Sequence, residues 1–117
     1  MATSREELIE AAEKYLFHGL VEHDGSNVPL APECWRIEQG ADTGNTAEKI
    51  REQLGSEIMN VITGLDNLRW LVEGDEGVVY YDLHTKASAK PVLIAERFKV
   101  VEGQIHEIEA IFAAQKS

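Results

Sequence analysis

The sequence predicts an α+β domain in which a curved antiparallel sheet wraps around helices. Helical periodicity fills the first half of the chain, and a period of two fills the second. Short turn signals join the alternating segments, as they do in an antiparallel meander. Helices first and sheet second places the helices on one face of the sheet. At 117 residues there is room for one hydrophobic core, so residues 1–117 read as a single domain.

Each element has a local reason. Ser4 and Glu7 form a capping-box pair that opens a helix over about 5–21. Leu8, Ala12, Tyr15, Leu16 and Leu20 give it one apolar face. Gly19 weakens its last turn, and His23-Asp24-Gly25 ends it. Pro29 and Pro32 make the stretch 26–33 irregular. A short strand follows over 34–38. Asn45-Thr46-Ala47-Glu48 caps a second helix that carries Ile50, Leu54 and Ile58. Strands are expected at 68–73, 78–85, 92–101 and 105–112. They are joined by turns at 73–77, 86–90 and Glu102-Gly103.

Charge and composition exclude several functions. The formal net charge is −10, which repels phosphate backbones and anionic lipid, so neither nucleic acid nor membrane is an expected partner. No apolar run approaches the roughly 20 residues that span a bilayer. The first residues carry no basic stretch followed by an apolar one, and Cys34 is the sole cysteine. A cytoplasmic location is therefore expected. No glycine-rich phosphate loop precedes a helix, and no signature supplies Cys34 with a base. None of the four histidines belongs to a close metal-ligating pair. Asp82 and His84 share a strand face and, with His106, make a weak metal candidate; no metal or cofactor is expected.

The order helix, short strand, capped helix, strand meander resembles the NTF2-like superfamily, also described as the cystatin-like cone. That group includes ketosteroid isomerases, SnoaL-type cyclases, scytalone dehydratase and limonene epoxide hydrolase. Ala47-Glu48-Lys49-Ile50-Arg51-Glu52 is similar to the second helix of the ketosteroid isomerases. Glu96-Arg97-Phe98-Lys99-Val100 is similar to their penultimate strand, and Ile108-Glu109-Ala110-Ile111-Phe112 to their last. The resemblance covers most of the chain.

It implies a pocket and three catalytic residues. Carried over by position, Tyr15 is the first-helix tyrosine, Glu38 the carboxylate base and Glu96 the protonated acid. The chemistry is coherent: a desolvated carboxylate shuttles a proton between carbons while hydrogen-bond donors stabilise the enolate oxygen. Glu96 stands among Leu93, Ile94, Ala95 and Phe98, where burial keeps a carboxyl protonated. Both acids are glutamates where the isomerases carry aspartates. Arg36 is close enough in sequence to pair with Glu38, and alternation sends Arg97 to the face opposite Glu96.

Trp35, Trp70, Phe98 and Phe112 are candidate lining residues for a small hydrophobic ligand, and Tyr80 and Tyr81 can line the same cavity or equally fill the core or a dimer interface. The Val78/Tyr80 and Val79/Tyr81 pairs put apolar groups on both faces of one strand, which predicts a sheet-to-sheet homodimer. His18 or His84 is an alternative base if the chemistry is dehydration. The alternative to an isomerase, cyclase or dehydratase is a non-catalytic ligand-binding or dimerisation module on the same fold.

Overall fold

The computed structural model describes residues 3–114. Helix α1 (Arg5–Glu13) begins at the expected capping box: the Glu7 amide donates to Ser4 Oγ at 3.1 Å, and the Ser4 amide to Glu7 Oε1 at 3.4 Å. It runs directly into a π-helical stretch, Lys14–Val21. Leu8, Ala12, Tyr15, Leu16 and Leu20 are all buried, as the apolar spacing requires. Gly19 lets this helix approach its neighbour, since a Cβ there would stand 3.1 Å from Leu54 Cδ1. Helix α2 (Ala47–Leu54) is capped by Thr46 and buries Ala47, Ile50 and Leu54. Arg51 ties it to the preceding loop through the carbonyls of Gly25 and Val28.

Six strands form one open, curved sheet in the order β2-β1-β6-β5-β4-β3. They are β1 (Leu30–Glu38), β2 (Ala41–Gly44), β3 (Ile62–Glu73), β4 (Glu76–Thr85), β5 (Ser88–Val101) and β6 (Gln104–Ala114). The last four make the expected antiparallel meander. The sheet as a whole is mixed, because β1 runs parallel to β6. The core lies between the helices and the inner face, around Leu8, Leu16, Ile50, Val79, Phe98 and Ile108.

Four details correct the sequence expectation. The first strand starts at Leu30 and takes in Pro32. The ladder to β6 is interrupted between Leu30 and Trp35, so the missing proline N–H breaks no pairing there. Strand β2 was not expected, and its Asp and glycine content explains why. Ile58 lies beyond α2 in a 3₁₀ turn (Glu57–Val61) and is 79% exposed. Strand β3 begins at Ile62 rather than 68, hidden by Gly64, Asp66 and Asn67. Between Asp66 and Arg69 it carries an extra residue relative to β4, and Asn67 there has φ 58°. Such a bulge bends a strand and helps curve the sheet.

Gly44 closes β2 opposite Arg36 with φ 150°. A Cβ there would meet Ile50 Cγ1, which belongs to a fully buried side chain, at 2.8 Å. Gly44→Ala is expected to lower stability by about 2 kcal/mol through overpacking and backbone strain. An unchanged midpoint in urea denaturation would contradict this.

Candidate active site

Strand register builds the site. Glu38 of β1 and Glu96 of β5 each pair with Ala110 of the intervening strand β6. The two acids therefore point from the same face, with backbones about 10 Å apart, two interstrand spacings. Between them stands only the Ala110 methyl, so the space above that row stays open. A cavity of about 670 Å³ occupies it. Its walls include Glu38, Glu96 and Ala110, then Tyr81, Ile94 and Phe112 from the adjacent row. Leu20, Gln53, Met59 and Ile62 close it from the other side.

Glu96 is 2% exposed and shares its inward face with Ile94, Phe98 and Val100. The Tyr81 hydroxyl donates to its Oε1 at 2.6 Å. Burial pushes its pKa up to about 7; the Tyr81 hydrogen bond opposes this, Glu38 adds to it and Arg36 offsets it. The acid is thus poised to hold or release a proton near neutrality. The Tyr81 phenol is itself driven well above its ordinary value by burial and the adjacent acid, so it remains a donor.

Arg36 also lines this cavity and is 2% exposed. Its Nε and Nη2 donate to Thr43 Oγ1 and Thr43 O, each at 3.0 Å. Nη2 also donates to Gln53 Oε1, and Nη1 to the Tyr15 hydroxyl at 3.1 Å. Glu38 Oε1 lies 3.9 Å from Nε, too far for a hydrogen bond.

The sequence-derived residues separate into those on the cavity and those behind it. Glu38, Glu96 and Phe112 line it; Tyr15, Trp35, Trp70 and Phe98 do not. Tyr15 is fully buried behind Arg36, edge-on to Phe98 at 5.6 Å between ring centroids. Phe98 faces inward but occupies the Arg36–Ile108 row, under the helix and away from the opening. Trp70 leans on Phe98 at 6.1 Å. Trp35 alternates with Arg36, so it lies on the outer face, with the Arg97 guanidinium 6.0 Å above its ring. Arg97 points outward as expected and meets Glu76, Glu107 and Glu109.

The sequence leaves the place of Tyr81 open between cavity, core and interface, and it does not mark Arg36 as buried. Tyr81, the hydroxyl that meets Glu96, follows Tyr80 directly, and alternation alone does not say which of the two turns inward. The β4–β5 register beyond the irregularity at Leu83/Thr85 settles it, pairing Tyr81 with inward-facing Ile94. Arg36 does pair loosely with Glu38, at 3.9 Å, as their spacing suggests, but from within the core rather than on the surface, and nothing local marks that burial.

The remaining titratable groups are elsewhere. His18 meets Glu22 at 2.9 Å, His84 meets Asp66 at 3.0 Å and His106 meets Glu33 at 3.3 Å. None of these histidines lines the cavity. Among the described residues, no group of three or more His, Cys, Asp or Glu side chains is arranged to hold a metal ion. Burial pushes the Cys34 thiol up to about 12, far from a reactive thiolate.

A helix-lined, curved sheet enclosing a cavity at its open end is the NTF2-like fold, and solved structures agree. The chain is similar to a ketosteroid isomerase candidate from Kribbella flavida DSM 17836, with 16% identity over 96% of this chain and 82% of that one, TM-score 0.78. It is similar to an LEH-like epoxide hydrolase of M. tuberculosis, with 18% identity over 92% and 84%, TM-score 0.73. It also matches an NTF-2 like protein of unknown function from Burkholderia xenovorans LB400, with 11% identity over 96% and 87%, TM-score 0.78. At these identities the likeness establishes the fold alone. The chain belongs to the family described as domain of unknown function DUF8021, which matches residues 1–112. No curated protein matches its sequence. Among the described residues, no helix is long and apolar enough to cross a membrane.

Proposed function

We propose that this domain binds a small, mostly apolar molecule in the cavity and moves a proton on it by carboxylate acid–base chemistry. The observation that carries this reading is Glu96: a buried carboxyl, hydrogen-bonded to Tyr81, on the wall of an apolar cavity that also holds Glu38. In this reading Glu38 is the base and Glu96 the neutral acid. The likeness to proteins assigned to isomerisation and epoxide hydrolysis supports a small-molecule reaction of this general kind. The test is a thermal-shift and fluorescence screen with steroid-like and aromatic ligands, followed by ultraviolet assay of a β,γ-unsaturated ketone. Failure to bind any apolar ligand would remove the reading altogether. Binding without turnover would leave the ligand-binding module, which the aliphatic lining of Ile58, Val61, Ile62, Leu83 and Val92 also suits.

The same reading includes a homodimer formed through the outer sheet face. Tyr80, Ala95 and Ile111 form one row there, beside Leu71 and Val78. Leu71 is 69% exposed and Ile111 62%. Covering such a row is a common reason for two-fold association. Light scattering at micromolar concentration is expected to give twice the monomer mass, and Ile111→Lys to halve it; a monomeric wild type would count against the dimer. The lone buried thiol, Cys34, fits a reducing cytoplasmic setting.

A further inference from the structure

Two arginines of this chain are held in opposite ways. Arg97, on the outer face, meets three carboxylates, Glu76, Glu107 and Glu109, all within 3.2 Å. Arg36, almost fully buried, is held by neutral oxygens: the Thr43 hydroxyl and carbonyl, the Tyr15 hydroxyl and the Gln53 amide. Burying a guanidinium is costly unless its charge is matched. Among the described residues no carboxylate hydrogen-bonds it, and its one ion-pair partner, Glu38, is a loose one at 3.9 Å.

The four hydrogen bonds use four of the five guanidinium N–H groups. One Nη1 N–H is left over, on a group that lines the cavity. The rigid fork is thus fixed by neutral partners, with one N–H that none of these four bonds uses. An oxygen acceptor on a ligand in the cavity could take it.

We infer that Arg36, rather than Tyr15, is the group that binds the ligand's oxygen, and that this oxygen is a neutral carbonyl on an otherwise apolar skeleton. The inference rests on the reading of the cavity as a small-molecule site. A neutral carbonyl is preferred to a carboxylate because Glu38 lines the same cavity and already offsets the charge of the single guanidinium. With Glu96 neutral, a carboxylate ligand meets no net positive charge there and still loses its hydration. A carbonyl gains from the cation, and gains more if negative charge develops on its oxygen. Tyr15 acts behind Arg36 as a positioning residue, accepting from Nη1.

Three probes with one skeleton test this: 2-ethylnaphthalene, 2-acetylnaphthalene and 2-naphthoate, titrated against wild type and Arg36→Gln. Wild type is expected to bind the ketone about tenfold more tightly than the hydrocarbon, as one hydrogen bond to a charged donor allows. It should bind the carboxylate more weakly than the ketone. In Arg36→Gln the ketone preference should fall below about threefold while hydrocarbon affinity stays. The infrared carbonyl stretch of the bound ketone should lie at lower frequency in wild type than in the variant, a shift that a merely structural arginine does not produce. Should Arg36→Gln fail to fold, the wild-type series and the carbonyl shift decide alone. Hydrocarbon binding with no ketone preference, or tightest binding of the carboxylate, overturns this inference and leaves the apolar-pocket reading standing. Binding of none of the three overturns both.

Discussion

Glu96→Gln is expected to fold and, above neutral pH, to be more stable than wild type by about 3 kcal/mol. The sign follows from linkage. Burial raises the Glu96 pKa from an ordinary 4.5 to about 7 in the folded protein. Between these values the folded state holds a proton that the unfolded state has released. Unfolding free energy therefore falls as pH rises through that window and levels off above it. Below pH 4.5 both states are protonated, and wild type and variant should be nearly equal. Glutamine keeps an oxygen to accept from Tyr81, fills the same volume and carries no charge to desolvate. The variant should lose the slope and gain on the order of 10 °C in melting temperature at pH 8. Melting curves recorded from pH 4 to 8 check this. If the two proteins show parallel pH profiles, Glu96 is ionised in the fold and cannot serve as a neutral acid. Glu96→Ala is a different experiment: it leaves a cavity and strands the Tyr81 hydroxyl, so it should destabilise at every pH.

Much of the fold was legible because local and global signals agree. Ser4 with Glu7 and the spacing from Leu8 to Leu20 specify one helix. Alternation from Val78 onward specifies the meander, and it put Glu96 on the face of Phe98 and Val100. What stayed hidden is set by pairing between distant strands. The row Glu38–Ala110–Glu96 depends on β1 joining β6, and no local pattern announces a parallel contact between the first and last strands of a chain. The aromatic residues show the same limit. Trp35, Trp70, Phe98 and Phe112 look equivalent as sequence, yet of these only Phe112 reaches the cavity, because it sits in the row of Ile94 and Tyr81, next to that of Glu96 on the open side. Tyr15 lies where the resemblance placed it, on the first helix, and the register of β1 put Arg36 between it and the opening.

Glu38→Gln carries the largest expected effect on function: turnover of a β,γ-unsaturated ketone should fall at least about a hundredfold, the usual scale for loss of a general base. The side chain is 26% exposed, lines the cavity and stands in the same row as Glu96, across the open space above Ala110. A carboxylate so placed can take the proton from the carbon between carbonyl and alkene. The electron pair moves onto the carbonyl oxygen, giving an enolate. The proton then returns to the far alkene carbon, the carbonyl re-forms, and Glu38 is a carboxylate again; nothing is gained or lost overall. Glutamine matches the shape and keeps the contact surface but cannot accept the proton. The loss should therefore appear in kcat, with KM and ketone affinity within about twofold of wild type. Glu96→Gln should lose less, since an amide N–H still donates to the developing oxyanion. Appearance of conjugated enone at 37 °C, read by ultraviolet absorbance for the three proteins, separates the roles. Full activity in Glu38→Gln would dismiss Glu38 as the base. A severe loss confined to Glu96→Gln would move that role to Glu96, whose pKa of about 7 leaves a substantial ionised fraction at neutral pH.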